Sequence, residues 1–447
     1  MTTVATRPGE ARDGWRNWAG TERVTPRRVV TPHSPEELSD AIRAAVRDGL
    51  PVKAVGSGHS FTGAAVAPGV QVRPEGMAGI VDADVEAGLV TVEAGMPLHQ
   101  LNPRLAQLGL AMEILGDIDR QTIAGAISTG THGSSRLFGS ISTQVRALEM
   151  VLADGSIVTC SESENPDLFA AARISLGALG VVTKVTLQCV PLYALEAVDA
   201  KLPLDETLDW VDELVEANDH FEFFWFPHTT TALTRRFKRV PGDTPLRPRS
   251  SVSRWLDDRV VTNIGYDALL RVGALLPRTV PAITCLVTAA VSAREFTELA
   301  PSVFASDRDV RFVEGEYAVP RAALPDVLRE LRSWVDTHDE PIAFPFEVRF
   351  VKADDIWLSP AYERDVAYVA FHQYHRMSHE RWFRVCEDVL GAAGGRPHWG
   401  KMHRLTHVDF AERVPRFGDF LAVREDVDPL GVFANPYLDR VLGEVGQ

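Results

Sequence analysis

Apolar positions along the chain follow two periods, and the change from one to the other outlines its elements. Behind Ser34, which can cap a helix, come Pro35 at the first turn and the acid Glu37, followed by Leu38, Ile42, Ala45 and Val46 on one face. This spacing predicts a helix closed by Gly49. A short apolar run, PVKAV at 51–55, then reads as a strand that stops at Gly56-Ser57-Gly58. Residues 89–94 predict a strand, 98–108 a helix, 168–175 a helix and 179–190 an alternating strand. Ala153-Asp154-Gly155-Ser156, between two apolar runs, predicts a hairpin turn. Up to about Pro191 the pattern has several short strands and few long crossover helices, which is α+β and not a repeat of βαβ units.

From about Leu192 the elements lengthen and become more aromatic. Residues 204–218 predict an amphipathic helix and FEFFWF at 221–226 a strand. Residues 241–257, rich in Pro, Arg and Ser, read as a surface excursion. Helices at 294–304 and 324–338 are expected to flank a strand at 310–317. This mixture predicts an antiparallel sheet covered by helices over 192–425, with a tail, 426–447, that returns to the domain formed by 15–191.

Composition narrows the function. The chain has 447 residues, 45% hydrophobic and 24% charged, in keeping with two or three ordinary globular domains. Its 61 acidic against 46 basic residues give a formal charge of -15, which argues against a nucleic-acid or anionic-membrane partner and for a neutral or polar small molecule. Cys160, Cys189, Cys285 and Cys386 are widely spaced in apolar surroundings and read as buried free thiols of a reducing compartment. The first twenty residues lack an apolar signal core, and no apolar run reaches membrane-spanning length, so a cytoplasmic protein without a membrane partner is expected.

Candidate chemistry begins in the glycines. GSGH at 56–59 and GDIDRQTIAGAISTGTHGSS at 116–135 are two loops able to bring backbone flush against a large or charged ligand, which together suggest a dinucleotide. No G-x-G-x-x-G follows an early strand, so a nicotinamide cofactor is disfavoured. In FPFEVRF, Glu347 and Arg349 share one face of a strand dense in phenylalanine. In YVAFHQY, His372 and Tyr374 do the same. Placed on a helix, His372, His375 and His379 could hold a metal ion, but no carboxylate or cysteine completes that site and the local pattern alternates as a strand does; no metal is expected.

VGSGHSF, TIAGAISTGTHGSS and HWGK at 398–401, in that order, resemble the FAD-dependent aldono-1,4-lactone oxidases and dehydrogenases of the vanillyl-alcohol-oxidase superfamily, over about residues 18–443. The resemblance implies a two-subdomain FAD-binding domain of the p-cresol-methylhydroxylase type at 15–191 and an α+β substrate cap at 192–425. It implies FAD held by Val55, Gly56, Ser57, Gly58, His59 and Ser60, by Gly116, Asp117, Thr122, Gly125, Ser128, Thr129, Thr131, His132, Gly133 and Ser134, and by Val181, His398 and Lys401. His59 is implied to be bonded covalently to the flavin. Asp117, Glu347, Arg349 and Tyr374 are implied to meet the substrate.

On this resemblance the expected reaction is oxidation of the C2 hydroxyl of a gulono-, galactono- or arabinono-type lactone, by hydride transfer to flavin N5. Arg349 would polarise the developing oxyanion, Glu347 would orient or accept from the hydroxyl, His372 would assist positioning, and Lys401 would stabilise reduced flavin. Dioxygen or another redox acceptor would complete the cycle, and Gly116, where relatives with alanine hinder oxygen, leans towards an oxidase. Tyr374 and Asp117 stand where alditol oxidases carry threonine and serine, which disfavours the alternative of an alditol oxidase. A flavin- or sugar-binding protein without turnover is the non-enzymatic alternative.

Overall fold

The computed structural model describes residues 14–249, 265–305 and 310–446. Most of the expected N-terminal lead and residues 250–257 of the expected excursion lie outside them. In the N-terminal part, strands Arg28–Val30, Val70–Val72 and Val52–Ala54 form a small parallel sheet with Val70–Val72 in its centre. Helix Pro35–Arg47 covers it with Leu38, Ile42 and Ala45, in one cluster with Val52, Val70 and Val72. Ser34 caps this helix by accepting the Glu37 N–H. A second, antiparallel sheet runs Ile157–Ser161, Val145–Val151, Val181–Gln188, Leu89–Glu93, Ile80–Asp84. Its hairpin turns at Gly155, whose φ of +80° suits glycine, while Asp154 Oδ1 accepts the Ser156 N–H at 2.7 Å. One parallel and one antiparallel sheet thus make up two subdomains.

The rest of the chain is organised on an eight-stranded antiparallel sheet: Arg294–Leu299, Tyr193–Pro203, Thr231–Pro241, His220–Trp225, Phe346–Val351, Val366–Tyr374, Phe312–Pro320 and Arg396–Pro397. Period-2 alternation divides its central strands into two faces. Phe221, Phe223, Trp225, Phe346, Val348, Val369, Phe371 and Tyr317 form one core with Leu324, Leu328 and Leu331 of helix Leu324–Thr337 and Trp382 and Phe383 of helix Glu380–Ala392. Charged and polar residues occupy the other face. The fold is α+β throughout.

Two expected helices differ. Arg294–Leu299 is an edge strand paired with Tyr193–Pro203, and only Ala300–Phe304 is helical; pairing along a sheet edge outweighs local propensity there. Residues 204–218 contain two short helices, Leu204–Asp209 and Val211–Glu216, separated at Trp210. Of the four free cysteines, Cys160, Cys189 and Cys386 are buried, whereas Cys285 is exposed.

The C-terminal segment packs on the first sheet. Asp428, fully buried, accepts the N–H groups of Val432 and Phe433 and so shapes a loop whose Val432 carbonyl receives the Val52 N–H. Lys53, 3% exposed, donates to the carbonyls of Leu176, Gly177 and Phe433 and joins three distant segments. Burial, and then Arg424, push its ammonium down to about 7. Lys53→Met would leave these carbonyls without their donor, and is expected to lower unfolding stability by about 2–4 kcal/mol in urea titrations.

Candidate active site

The sheet alternation that builds the cap's core also builds the site. Because Asp199, Arg235, Glu222, Arg349 and Tyr368 are successive cross-strand partners, a row of alternating charge crosses the polar face. Arg235 lies 3.4 Å from Asp199 and 2.8 Å from Glu222, and Arg349 Nε lies 3.3 Å from Glu222. Arg349 also touches Glu347 and stands 3.5 Å from Asp117. Desolvation opposes its charge, but Glu347, Asp117 and Glu222 hold its pKa well above the ordinary arginine value. Arg349 is therefore a fixed cation with several acidic partners.

Three sequence motifs meet opposite this row. The Phe61 N–H donates to Gly400 O at 2.7 Å and Thr62 to Trp399 O, tying the first glycine turn to HWGK. The Ser134 hydroxyl donates to Phe221 O and accepts the Phe350 N–H, and the Ser135 N–H donates to Phe350 O, tying the second glycine segment to the strand of Arg349. A Cβ on Gly56 would stand 2.4 Å from Thr122 Oγ1, so glycine is what lets the two glycine segments touch.

Two cavities share His59 and Ser60. The outer, about 850 Å³ including its mouth, is walled by Gly56, Ser57, Gly58, Thr122, Gly125, Ser128, Thr129 and Val181. The inner, about 510 Å³ likewise including its mouth, is walled by Asp117, Thr131, His132, Arg349, His398 and Lys401 among others. Val55, Gly116, Gly133 and Ser134 are not among the lining residues of either cavity. Ser134 is buried and its hydroxyl is engaged in the strut just described. Glu347 and His372 are buried in the sheet behind the inner wall, reaching it through Arg349 and through Glu314 with Lys401.

Tyr374 is not among the lining residues of either cavity. It is fully buried and its hydroxyl donates to Asp267 Oδ1 at 2.8 Å, beside helix Tyr266–Leu275. Of the three histidines considered together, His372 lies on a strand, and its Nδ1 and that of His375 face the Pro345 and Arg311 carbonyls. A different trio, His132, Glu316 and His398, has side-chain N and O atoms within 4.8 Å of one another. His398 Nδ1 accepts the Gly400 N–H at 3.0 Å, so the ring's remaining proton sits on Nε2, which is a donor there and a poor metal ligand.

Glu314 and Glu316, both deeply buried, were not singled out from the sequence. They face Lys401 with His372, and His132, respectively. His132 is stacked on Tyr368 at 3.7 Å and its Nε2 lies 3.2 Å from Glu316. Burial would raise the Glu316 carboxyl, but His132 and Lys401 hold it below the usual range. The signal was present in FVEGEYAV, where two acids alternate with apolar residues as Glu347 and Arg349 do.

The outer cleft fits the pyrophosphate of FAD. Among the described residues, no acceptor receives the backbone N–H of Gly56, Ser57, Gly58, His59 or Ser60. Such a run of unspent donors is an anion site. Gly58 has φ +70°, which turns the loop at that point.

Residues 26–161 match the family model of an FAD binding domain, and 185–441 that of D-arabinono-1,4-lactone oxidase. The L-gulono-1,4-lactone dehydrogenase of Mycobacterium tuberculosis is 42% identical over 96% of this chain and 99% of its own length. The chain belongs to the aldonolactone oxidase and dehydrogenase family. L-Gulonolactone oxidase of Mus musculus is 34% identical, over 96% of this chain and 98% of its own. A solvent-stable cholesterol oxidase of known structure superposes with a TM-score of 0.83 at 19% identity, over 96% of this chain and 97% of its own, and shows the shared p-cresol-methylhydroxylase-type fold. This family member is an FAD-dependent oxidoreductase. Among its described residues no helix is long and apolar enough to cross a membrane.

Proposed function

We propose that this protein oxidises an aldono-1,4-lactone at its C2 hydroxyl, with FAD in the outer cleft and the sugar in the inner cavity. The observation that carries the reading is Arg349, fixed by Glu222 and Glu347 and facing a cavity that also contains His59 and Lys401. A guanidinium held in place this way presents a fixed, charged N–H donor to a hydroxyl oxygen and favours it more as charge develops on loss of the proton. Glu347, behind the cavity wall and in contact with that guanidinium, orients the hydroxyl at one remove by holding Arg349 in place. When bound, FAD supplies the acceptor for the hydride that leaves C2. Lys401 adds a second positive charge to the same cavity, held above the ordinary lysine pKa by Glu314 and Glu316 against the effect of burial.

His59 is the proposed point of covalent attachment. It stands at the junction of the two cavities, and burial, followed by Lys401 and Arg120, lowers its pKa to about 4. A neutral imidazole keeps a lone pair for bond formation. The four free cysteines favour a reducing, cytoplasmic compartment.

A panel of gulono-, galactono- and arabinono-lactones against xylitol and sorbitol tests the substrate class. The lactones are expected to have the higher kcat/KM, and a preference for the polyols would favour an alditol oxidase. Dioxygen is the proposed acceptor. A Cβ at Gly116 would come within 3.1 Å of Thr131 Cγ2 and 3.3 Å of His132 O, crowding this part of the loop. Gly116→Ala is expected to lower oxygen consumption on the order of tenfold relative to turnover with an artificial dye acceptor, ~1.4 kcal/mol of barrier.

A further inference from the structure

A buried charged chain lies behind the inner cavity. Glu314 and Glu316 are two apart on strand Phe312–Pro320, are 5% and 4% exposed, and share a face. Gly315 between them faces the opposite way, where a Cβ would stand 2.3 Å from the Phe371 ring. Glu314 therefore cannot exchange faces with its neighbour by a one-residue slip without a clash in the core. One Glu314 oxygen contacts Lys401 Nζ, and the other lies 3.3 Å from His372 Nε2.

His372 Nδ1 lies 2.9 Å from the Pro345 carbonyl, which can only accept, so Nδ1 donates. Nε2, on the other side of the ring, lies within ion-pair distance of the Glu314 carboxylate. Glu314 is thus set between the His372 ring on the sheet and the Lys401 ammonium on the cavity wall. Lys401 is fixed further by the Phe61 ring, 5.2 Å from its Nζ.

We propose that Glu314 is a positioning residue for the oxidation: it holds Lys401 as a charged ammonium at the inner wall, and His372 fixes Glu314 from behind. The proposal rests on the reading that the FAD ring meets the inner cavity. A cation fixed there favours the reduced flavin, which carries more negative charge than the oxidised form. A flexible four-carbon side chain without this carboxylate would lose its fixed position and the neighbour that most favours its charge. His372, expected from the sequence to assist positioning, then acts at one remove, through Glu314 and Lys401.

The test is the ratio of reduced to oxidised flavin in the holoenzyme, set against a reference dye under anaerobic conditions. Glu314→Gln keeps the shape and removes the charge. It is expected to retain FAD and to lower the ratio about tenfold, ~30 mV for a two-electron couple. Lys401→Met is expected to lower it as much, and the double variant no further, because both act through one ammonium. Glu314→Asp keeps the charge but withdraws it by one methylene, and a smaller fall is expected; this variant carries the test if the Gln variant does not accumulate as folded protein. A ratio within twofold of wild type in both Glu314 variants, or a double variant whose fall is the product of the two single ones, overturns the proposal. Wild-type protein without FAD would overturn the functional reading as well, whereas FAD present with an unchanged ratio overturns only the role of Glu314.

Discussion

Arg349→Lys is expected to lower kcat/KM for the lactone about 100-fold or more while FAD stays bound, the scale seen when one transition-state donor is removed. Lysine keeps a positive charge beside Glu222 and Glu347, which are 6% and 3% exposed. Alanine would take the cation away from the buried Glu347 carboxylate, at a cost of about 3–5 kcal/mol, and so confuse loss of folding with loss of chemistry. What lysine lacks is the planar fork with two parallel donors. Steady-state kinetics on protein with a full complement of flavin measure the effect. Activity within threefold of wild type would remove Arg349 from the chemistry.

His59→Ala is expected to abolish covalent retention of flavin: acid precipitation of the wild type gives a yellow pellet, and of the variant a colourless one with FAD in the supernatant. The variant should still bind FAD before acid, because the N–H groups of Gly56 to Ser60 belong to the backbone and do not depend on the imidazole. Turnover should fall by about tenfold, since loss of the covalent bond lowers the flavin's tendency to accept electrons. A colourless wild-type pellet would show that FAD is held without a bond to this chain.

Much of this site is local in sequence, and that part was legible. The glycine turn, the STGTHGSS segment, Glu347 with Arg349, and HWGK each occupy a few adjacent positions, and the ties of Phe61 to Gly400 and of Ser135 to Phe350 bring them together. The charged row was hidden because Asp199, Arg235, Glu222 and Arg349 become neighbours only by strand pairing across 150 residues of chain. The Tyr374 contact was hidden for the same reason: its partner, Asp267, lies on a cap helix that the strand pattern could not indicate. Residues 294–299 carry a mixed pattern that fits helix or strand, and it is the neighbouring strand Tyr193–Pro203 that decides. Glu314 and Glu316 were within reach. Two acids on one face of an apolar strand cannot remain without partners, and the same argument had already singled out Glu347 and Arg349.

The central claim is that lactone oxidation passes electrons to FAD at the cavity of Arg349 and Lys401. Its most direct measurement is the absorbance of the anaerobic holoenzyme on addition of gulono-, galactono- or arabinono-1,4-lactone. The account predicts that at least one of these bleaches the yellow colour within the turnover time and that admission of air restores it; colour that persists under all three lactones contradicts it.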